Sequence, residues 1–155
     1  MRLSMRQGWL DLDDTYSPIF VATWMGELEV DVFKQYLQQT TSFLIESDMP
    51  LVLVLDGTRC SSVDSMHRKL QADWIRFHAE HIKRHKIAVS FAFSAMMQRG
   101  IMTAVHWLSP PPYAFNVSPT RKGAIDWACE YAQSIGLVLP ANITDAYATP
   151  TTVVF

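Results

Sequence analysis

Two apolar runs, "LVLVLD" and "KIAVSFAFS", constrain the fold of this chain more than any other feature. They cover residues 51–56 and 86–94 and contain β-branched and aromatic residues with no charge in their interiors. Because neither run alternates with polar residues, both are typical of strands buried on two faces, as in a parallel sheet. The segment between them has helical periodicity and is long enough for a crossover helix. The runs therefore predict neighbouring interior strands of an α/β sheet.

The rest of the chain alternates strand-like and helix-like segments around these two runs. Further strands are predicted at 8–14, 17–26 and 113–118, and helices at 27–47, 62–85, 95–109 and 118–136. Asp64 or Ser65 is a suitable N-cap for the second helix, and Gly136 a suitable end for the last. The predicted fold is an α/β domain with a mixed sheet of about five strands, in the order β-β-α-β-α-β-α-β-α, covered by about four helices.

The length of 155 residues predicts a single domain, which we place at 1–139. The remainder, 140–155, has two prolines and no helical periodicity, and it is predicted to be an extended tail. Its end, "TPTTVVF", reads either as a disordered terminus or as a segment that adds to a sheet edge. No apolar stretch is long enough for a membrane span and no secretory signal is visible, so a cytoplasmic protein is expected.

Charge and cysteine content narrow the classes of partner and cofactor. The formal net charge of -2 provides no general attraction to nucleic acid, and no nucleic-acid partner is expected. The only cysteines, Cys60 and Cys129, lie far apart, which does not fit a disulfide framework or a zinc site. No cofactor is predicted.

The segment 95–128 carries motifs that resemble a known group of proteins. These positions are Arg99, Gly100, Thr103, Ala104, Trp107 and Leu108, followed after a proline-rich turn and a strand by Ala124, Trp127 and Ala128. With the element order, they resemble small bacterial proteins of SpoIIAA-like fold, the fold shared by STAS domains and SEC14 (CRAL-TRIO) lipid carriers. The likeness covers about residues 9–137. It implies the fold, but no defined activity comes with it.

The residues after the first apolar run form a candidate binding loop at 57–65. In STAS anti-sigma-factor antagonists, which this chain resembles, an Asp-Ser-Ser-Gly motif here receives a phosphate on its second serine. Asp64 and Ser65 match the first two positions, but Met66 occupies the phosphorylated one. Ser65 is a substitute phosphosite, since a helix N-terminus favours a phosphate. The alternative is that these residues only cap the helix and turn the chain.

The sequence also contains residue types that occur in catalytic and metal-binding sites. Ser61, His67 and Asp56 are the residue types of a hydrolase, and Cys60 with His67 those of a thiol dyad, but no G-x-S-x-G elbow is present. We therefore predict no catalytic residues. Three histidines at helical spacing are candidates for a zinc site, although no H-E-x-x-H motif accompanies them and a solvated helix surface is the expected role. They are His78, His81 and His85.

The predicted helix at 95–109 is apolar over most of its circumference. Its large apolar residues are Met96, Met97, Ile101, Met102, Val105, Trp107 and Leu108. Such a helix fills the core, forms a dimer or partner surface, or borders an apolar ligand cavity, and methionines are common at adaptable binding surfaces. The short chain argues against a large cavity. Arg99 is expected to pair with an acid such as Asp56, the alternative being an anion.

Together these features predict a non-enzymatic, regulatory, protein-binding module of STAS type, whose partner is another protein or a second copy of the chain. The residues of the predicted surface are Asp56, Thr58, Arg59, Ser61, Ser62, Ser65, Met97, Arg99, Met102 and Trp107. The alternatives are a SEC14-type carrier of a lipid or other apolar ligand and a phospho-regulated switch of the anti-sigma-factor-antagonist kind.

Overall fold

The computed structural model describes residues 1–46, 49–62 and 64–147. The strands are β1 (Arg2–Met5), β2 (Gly8–Asp13), β3 (Ile19–Glu27), β4 (Val52–Ser62), β5 (Ala88–Ala92) and β6 (Ala114–Ser118). The helices are α1 (Val30–Thr41), which continues into a π-helical turn (Ser42–Glu46), α2 (Ser65–Phe77), α3 (Ala79–Arg84), α4 (Met96–Leu108), α5 (Arg121–Ser134) and α6 (Ile143–Ala146).

The six strands form one mixed sheet in the order of the chain, β1 to β6. β1, β2 and β3 are antiparallel neighbours, whereas β3, β4, β5 and β6 run parallel. This confirms the predicted α/β architecture and adds one strand to it. β1 contains only a short alternation, with Leu3 and Met5 between polar residues, and so few positions give little strand signal.

The core consists of two apolar layers, one on each face of the sheet. On one face Leu53 and Leu55 pack with residues of α1 and with the partly buried residues of α2. On the other face Val54 packs with the alanines of α5, including Ala128, whose small side chains allow close approach. Val54 is 0% and Val89 7% exposed. The two apolar runs are therefore interior strands, as predicted.

The helix predicted over 62–85 is interrupted. α2 ends at Phe77, His78 has non-helical dihedral angles (φ -101°, ψ 13°), and α3 begins at Ala79. After this break Ile82 is buried in the core while Phe77 is exposed. Continuous helical periodicity in the sequence did not reveal the break, because apolar residues recur at helical spacing on both sides of it.

The prediction of a loop at 57–65 is wrong for residues 57–62, because β4 continues to Ser62. The extension pairs with the second half of β3, and the register shifts between Thr23 and Met25. β3 is long enough to offer this second half as a ladder partner. Gly57 has no side chain where the Phe93 ring packs: a Cβ here would lie 2.5 Å from that ring.

The chain beyond α5 packs on the domain as far as it is described. Ile143 is 3% exposed, and the Tyr147 hydroxyl donates a hydrogen bond to the Asp13 carboxylate. The Arg121 guanidinium lies 5.3 Å from the centre of the Tyr147 ring. This part of the predicted tail forms a helix rather than an extended segment, and "TPTTVVF" at 149–155 lies outside the described residues. Among the described helices, none is long and apolar enough to cross a membrane.

Candidate functional site

Asp56 is the centre of a polar cluster where β4 passes the carboxyl end of β5. Its Oδ1 accepts hydrogen bonds from the Thr58 amide (3.0 Å) and the Thr58 hydroxyl (2.6 Å). Its Oδ2 lies 3.9 Å from Nε of Arg121, at the start of α5. Asp56 is buried, so these partners satisfy a carboxylate that would be costly to bury alone.

Arg99 does not pair with Asp56, and this prediction is wrong. Its Nη1 instead donates to the carbonyl oxygens of Phe93 (2.9 Å) and Ser94 (2.7 Å). These carbonyls lie in the turn between β5 and α4, one helical turn before Arg99. Ser94 in turn donates to the Thr58 carbonyl at 3.0 Å. Arg99 thus connects the start of α4 to the turn that follows β5.

Two further members of the predicted surface lie on the extended part of β4. Arg59 is half-buried, and its Nη1 is a buried atom without a hydrogen-bond partner. Ser61 is exposed. The side chain of Ser62 lies outside the described part of the structure.

The start of α2 is closed by a reciprocal pair of hydrogen bonds. The His67 amide donates to Oδ1 of Asp64 (3.0 Å), and the Asp64 amide donates to Nδ1 of His67 (3.3 Å). This confirms Asp64 as the N-cap. The His67 amide and, less strongly, the nearby charges hold the pKa of Asp64 below its usual range. Ser65 is exposed in the first turn, where a phosphate would stand beside the Asp64 carboxylate; its phosphorylation stays a prediction.

The candidate catalytic residues are engaged by different partners. His67 pairs with Asp64, whereas Asp56 pairs with Thr58 and Arg121. Cys60 is buried in the core. The described contacts therefore do not join His67 to Asp56.

The three candidate metal ligands, His78, His81 and His85, lie beside other aromatic rings. The His78 ring lies 4.9 Å from the Trp74 ring, and the His81 and His85 rings are 4.4 Å apart. Burial, followed by the neighbouring His81, lowers the pKa of His78. Within the described ranges, no group of three or more His, Cys, Asp or Glu side chains is placed to hold a metal ion.

α4 is held to the domain on one narrow side. His106 is buried and Met102 half-buried, and both face the sheet. Its exposed large apolar residues are Met96, Met97, Ile101, Val105, Trp107 and Leu108. Trp107 is 80% and Leu108 88% exposed, so core packing accounts for little of the apolar character of this helix. A helix apolar all round is normally covered on all sides.

A shallow groove crosses the outside of α4. Gly100 and Ala104 form its floor, and Met96, Trp107 and Leu108 flank it. A Cβ added to Gly100 would meet no atom within 4 Å. The packing of this chain therefore does not require a glycine here, and the groove is open for another molecule. We call Met96, Met97, Gly100, Ala104, Trp107 and Leu108 the outer face of α4.

A cavity of about 570 Å³ lies beneath α4, between α2 and the sheet. Leu55, Phe91 and Phe93 form its floor, and Met102 and Val105 of α4 close one side. The short chain was expected to have little volume to spare for a large cavity, but a space of this size is present. α2 and α4 approach the sheet without meeting each other over this region, and the three consecutive prolines after α4 complete the wall.

Five of the lining residues that are buried or half-buried carry polar groups. They are Trp24, His67, Gln71, His106 and Tyr113. Nδ1 of His106 is 2.7 Å from the Met102 carbonyl, and its Nε2 is 3.1 Å from the Tyr113 hydroxyl. Burial lowers the pKa of His106 and raises that of Tyr113.

The other three polar groups have no hydrogen-bond partner. Nε1 of Trp24, Nε2 of His67 and Oε1 of Gln71 are buried atoms that no protein group satisfies. Buried polar groups in proteins are almost always paired. The cavity is therefore lined by three buried polar atoms whose hydrogen-bonding capacity the protein leaves unused.

Comparison with known proteins identifies this architecture by its structure. No family sequence model matches the chain, and no curated protein matches it significantly in sequence. A DUF3478-family protein from Shewanella loihica PV-4, solved as a SpoIIAA-like fold, is 16% identical, with a TM-score of 0.59 over 83% of this chain and 99% of that chain. The fold of this chain is SpoIIAA-like.

Two other solved structures share the SpoIIAA-like fold with this chain. One is a chain of the complex of diguanylate cyclase SiaD with its activator SiaC from Pseudomonas aeruginosa, 14% identical, with a TM-score of 0.56 over 76% of this chain and 98% of that chain. The other is an anti-sigma factor antagonist from Mycobacterium paratuberculosis, 18% identical, with a TM-score of 0.54 over 82% and 99% of the two chains. At such identities the likeness establishes the fold alone.

The sequence singled out His67, Met102 and Val105 among the residues that line the cavity of this SpoIIAA-like domain, but not Trp24, Gln71 or Tyr113. Trp24 lies in an apolar strand, and Tyr113 follows a proline turn, so each looks like an ordinary core residue. The one available signal is the spacing of His67 and Gln71, which puts two polar side chains on the same face of α2. That face packs toward the sheet, where apolar residues are normal.

Proposed function

We propose that this SpoIIAA-like domain is a cytoplasmic, non-enzymatic regulatory module that acts by binding another protein through the outer face of α4. The observation that carries the proposal is an apolar helix face left open by the fold, with Trp107 four-fifths exposed. Arg99 also borders its groove, but this side chain is bonded to backbone carbonyls. Contiguous exposed apolar surface is typical of protein-binding sites, because it costs solubility unless a partner covers it.

The composition of this face suits protein recognition. Tryptophan and methionine are enriched in interface cores, and truncation of buried tryptophans often causes the largest losses of affinity. Gly100 and Ala104 allow a partner backbone to approach closely, while Met96 and Met97 adapt to its shape. The partner chemistry that fits is an apolar, uncharged surface such as one side of an amphipathic helix.

The descriptions of two proteins with the same fold support a regulatory role. One is an anti-sigma factor antagonist, and the other belongs to a complex of a diguanylate cyclase with its activator. These descriptions concern those proteins. For this chain they favour binding of a protein over catalysis.

The test compares two charge substitutions in exposed apolar positions. Met97→Glu alters the outer face of α4, whereas Val138→Glu alters a residue that is 89% exposed beyond α5. A partner is first isolated with the wild-type protein, identified by mass spectrometry, purified and titrated calorimetrically. We expect Met97→Glu to weaken binding by about tenfold or more and Val138→Glu to leave it unchanged.

The same variants examine a second copy of this chain as the partner. Light scattering after gel filtration would then show a wild-type dimer and a Met97→Glu monomer. Equal binding by Met97→Glu and wild-type protein, to a purified partner or to a second copy, would contradict docking on α4.

A further inference from the structure

We propose that the cavity between α2, α4 and the sheet is a binding site for a small apolar molecule that carries one carboxylate, such as a fatty acid. The apolar chain lies over the floor of the cavity, and the carboxylate lies beside Nε1 of Trp24, a buried donor without a partner. This goes beyond the proposed function, because the site is internal and does not use the outer face of α4.

The size and lining of the cavity are those of a small-molecule site. Its volume of about 570 Å³ falls within the range of about 300–1,000 Å³ that is usual for ligand pockets. Phe91, Phe93, Met102, Val105 and Ile75 give it apolar walls from the sheet, α4 and α2. A ligand with an apolar body therefore fits the larger part of the space.

Part of the cavity wall carries buried polar atoms without a partner. The Trp24 and His67 rings both pack edge-on against Phe33, with ring centres 5.8 and 5.3 Å from it. Nδ1 of His67 is already engaged by Asp64, whose Oδ1 lies 2.9 Å and whose amide nitrogen lies 3.3 Å away. Nε1 of Trp24 is a buried donor without an acceptor, and Nε2 of His67 also has no partner. A ligand oxygen supplies the acceptor that the Trp24 indole lacks.

The charges around the cavity select an anion. Arg68, Arg76 and Lys83 line it, and no acidic residue is among the described residues that do so. Arg76 also lies 3.4 Å from the Asp73 carboxylate on the outer side of α2. A carboxylate matches this charge, and its oxygens are acceptors for the Trp24 donor.

Calorimetric titration with four twelve-carbon probes tests this assignment. The probes are dodecanoate, dodecyl phosphate, 1-dodecanol and dodecyltrimethylammonium, each below the concentration at which it forms micelles. We expect dodecanoate to bind one to one, 1-dodecanol to bind about tenfold more weakly or worse, and the cation not to bind. Equal binding of 1-dodecanol or binding of the cation would overturn the anionic site, and tighter binding of dodecyl phosphate would overturn the carboxylate.

Matched variants locate the bound probe. Val105→Trp fills the cavity from α4, and Val138→Trp makes the same change at an exposed position outside it. Arg68→Glu reverses a charge that lines the cavity, and Lys69→Glu does so at the next residue, which does not line it. We expect Val105→Trp and Arg68→Glu each to weaken dodecanoate binding at least tenfold, and the two controls to leave it unchanged.

Two outcomes keep this proposal separate from the docking proposal. Circular dichroism melting curves identify any variant that fails to fold, and for Val105→Trp the substitution Met102→Phe offers a milder filling of the same space. Undiminished dodecanoate binding by folded Val105→Trp and Met102→Phe would place the probe elsewhere and overturn the site. Loss of protein binding in Met97→Glu bears only on the outer face of α4.

Discussion

His106 illustrates at the residue scale how this fold accommodates a polar group among aromatic rings. Both ring nitrogens have partners, the Met102 carbonyl and the Tyr113 hydroxyl. The Phe91 and Phe115 rings lie 5.4 and 4.3 Å away. Burial lowers the pKa of His106, because an apolar environment disfavours the charged imidazolium. The folded state therefore favours the neutral form of His106.

This pKa difference predicts a loss of stability in acid. In the unfolded chain histidine has a pKa of about 6.5, above that of folded His106, so protons bind preferentially to the unfolded state. The free energy of unfolding is at its full value above this pKa and falls as the pH drops below it. Urea unfolding at about pH 7.5 and pH 5.5 measures the decline.

His106→Gln keeps a polar side chain that does not titrate, and its decline between the two pH values is expected to be smaller than that of the wild-type protein. His78, whose pKa is lowered in the same direction, still titrates in the variant. An identical decline in the two proteins would rule out His106 as its source.

At the scale of secondary-structure elements, the helices differ in whether a side chain caps their first turn. α2 begins with the Asp64 and His67 capping pair, whereas no side chain caps α4. α4 is instead tied down by Arg99, which bonds two carbonyls at the end of β5. The start of α2, which lines the cavity, is thus fixed by side-chain hydrogen bonds. α4, which lies between the cavity and solvent, depends on Arg99 instead.

The cap of α2 is testable by substitution. Asp64→Ala removes the acceptor for the His67 amide, and a lost N-cap lowers the melting temperature by about 2–4 °C in a domain of this size. Asp73→Ala removes an exposed carboxylate from the same helix, 3.4 Å from Arg76, and is expected to have almost no effect. Thermal unfolding followed by circular dichroism compares the two; equal melting temperatures would contradict the capping role.

The apolar residues of the outer face of α4 are predicted to contribute little to stability. Trp107→Gln removes a large apolar side chain from an exposed position, so its effect on the free energy of unfolding should stay within about 0.5 kcal/mol. Phe91→Ala, in the core, is expected to cost about 3–5 kcal/mol. Urea unfolding measures both. A loss of several kcal/mol in Trp107→Gln would show that Trp107 packs within the domain.

The sequence predicts some elements of this fold much better than others. β4 and β5 were predictable because long uncharged β-branched runs have few other uses. A cap at Asp64 or Ser65 was predictable because both residue types are typical N-caps before a helical pattern. The extension of β4 beyond Gly57 depends on pairing with the end of β3, a contact that local sequence does not contain. The cavity likewise depends on the spacing between α2 and α4, and its lining residues come from β3, β4, β5, the first four helices and the turn after α4.

At the scale of the whole molecule, the two apolar layers are closed by different parts of the chain. α1, α2 and α4 cover one face, and α5 with α6 covers the other. Ile143 of α6 joins the same layer as Val54 and Ala128. We propose that the domain extends through Tyr147 rather than ending at residue 139.

Ile143→Ala tests this boundary. Removal of a buried isoleucine side chain is expected to lower the free energy of unfolding by about 2–5 kcal/mol. Thr144→Ala, at the exposed neighbouring position, should change it by less than about 0.5 kcal/mol. Urea unfolding of the two variants distinguishes them. If both variants match the wild-type protein, the packing of α6 contributes nothing and the domain ends before it.

The most direct measurement of the docking role of α4 is site-specific photo-crosslinking in the cells that produce this protein. A benzophenone amino acid replaces Trp107 in one strain and Val138, an equally exposed residue away from α4, in the other. The account predicts that the probe at 107 forms a covalent adduct with one defined protein, or with a second copy of this chain, and that the probe at 138 does not. Adducts that are absent at 107, or the same at both positions, would contradict it.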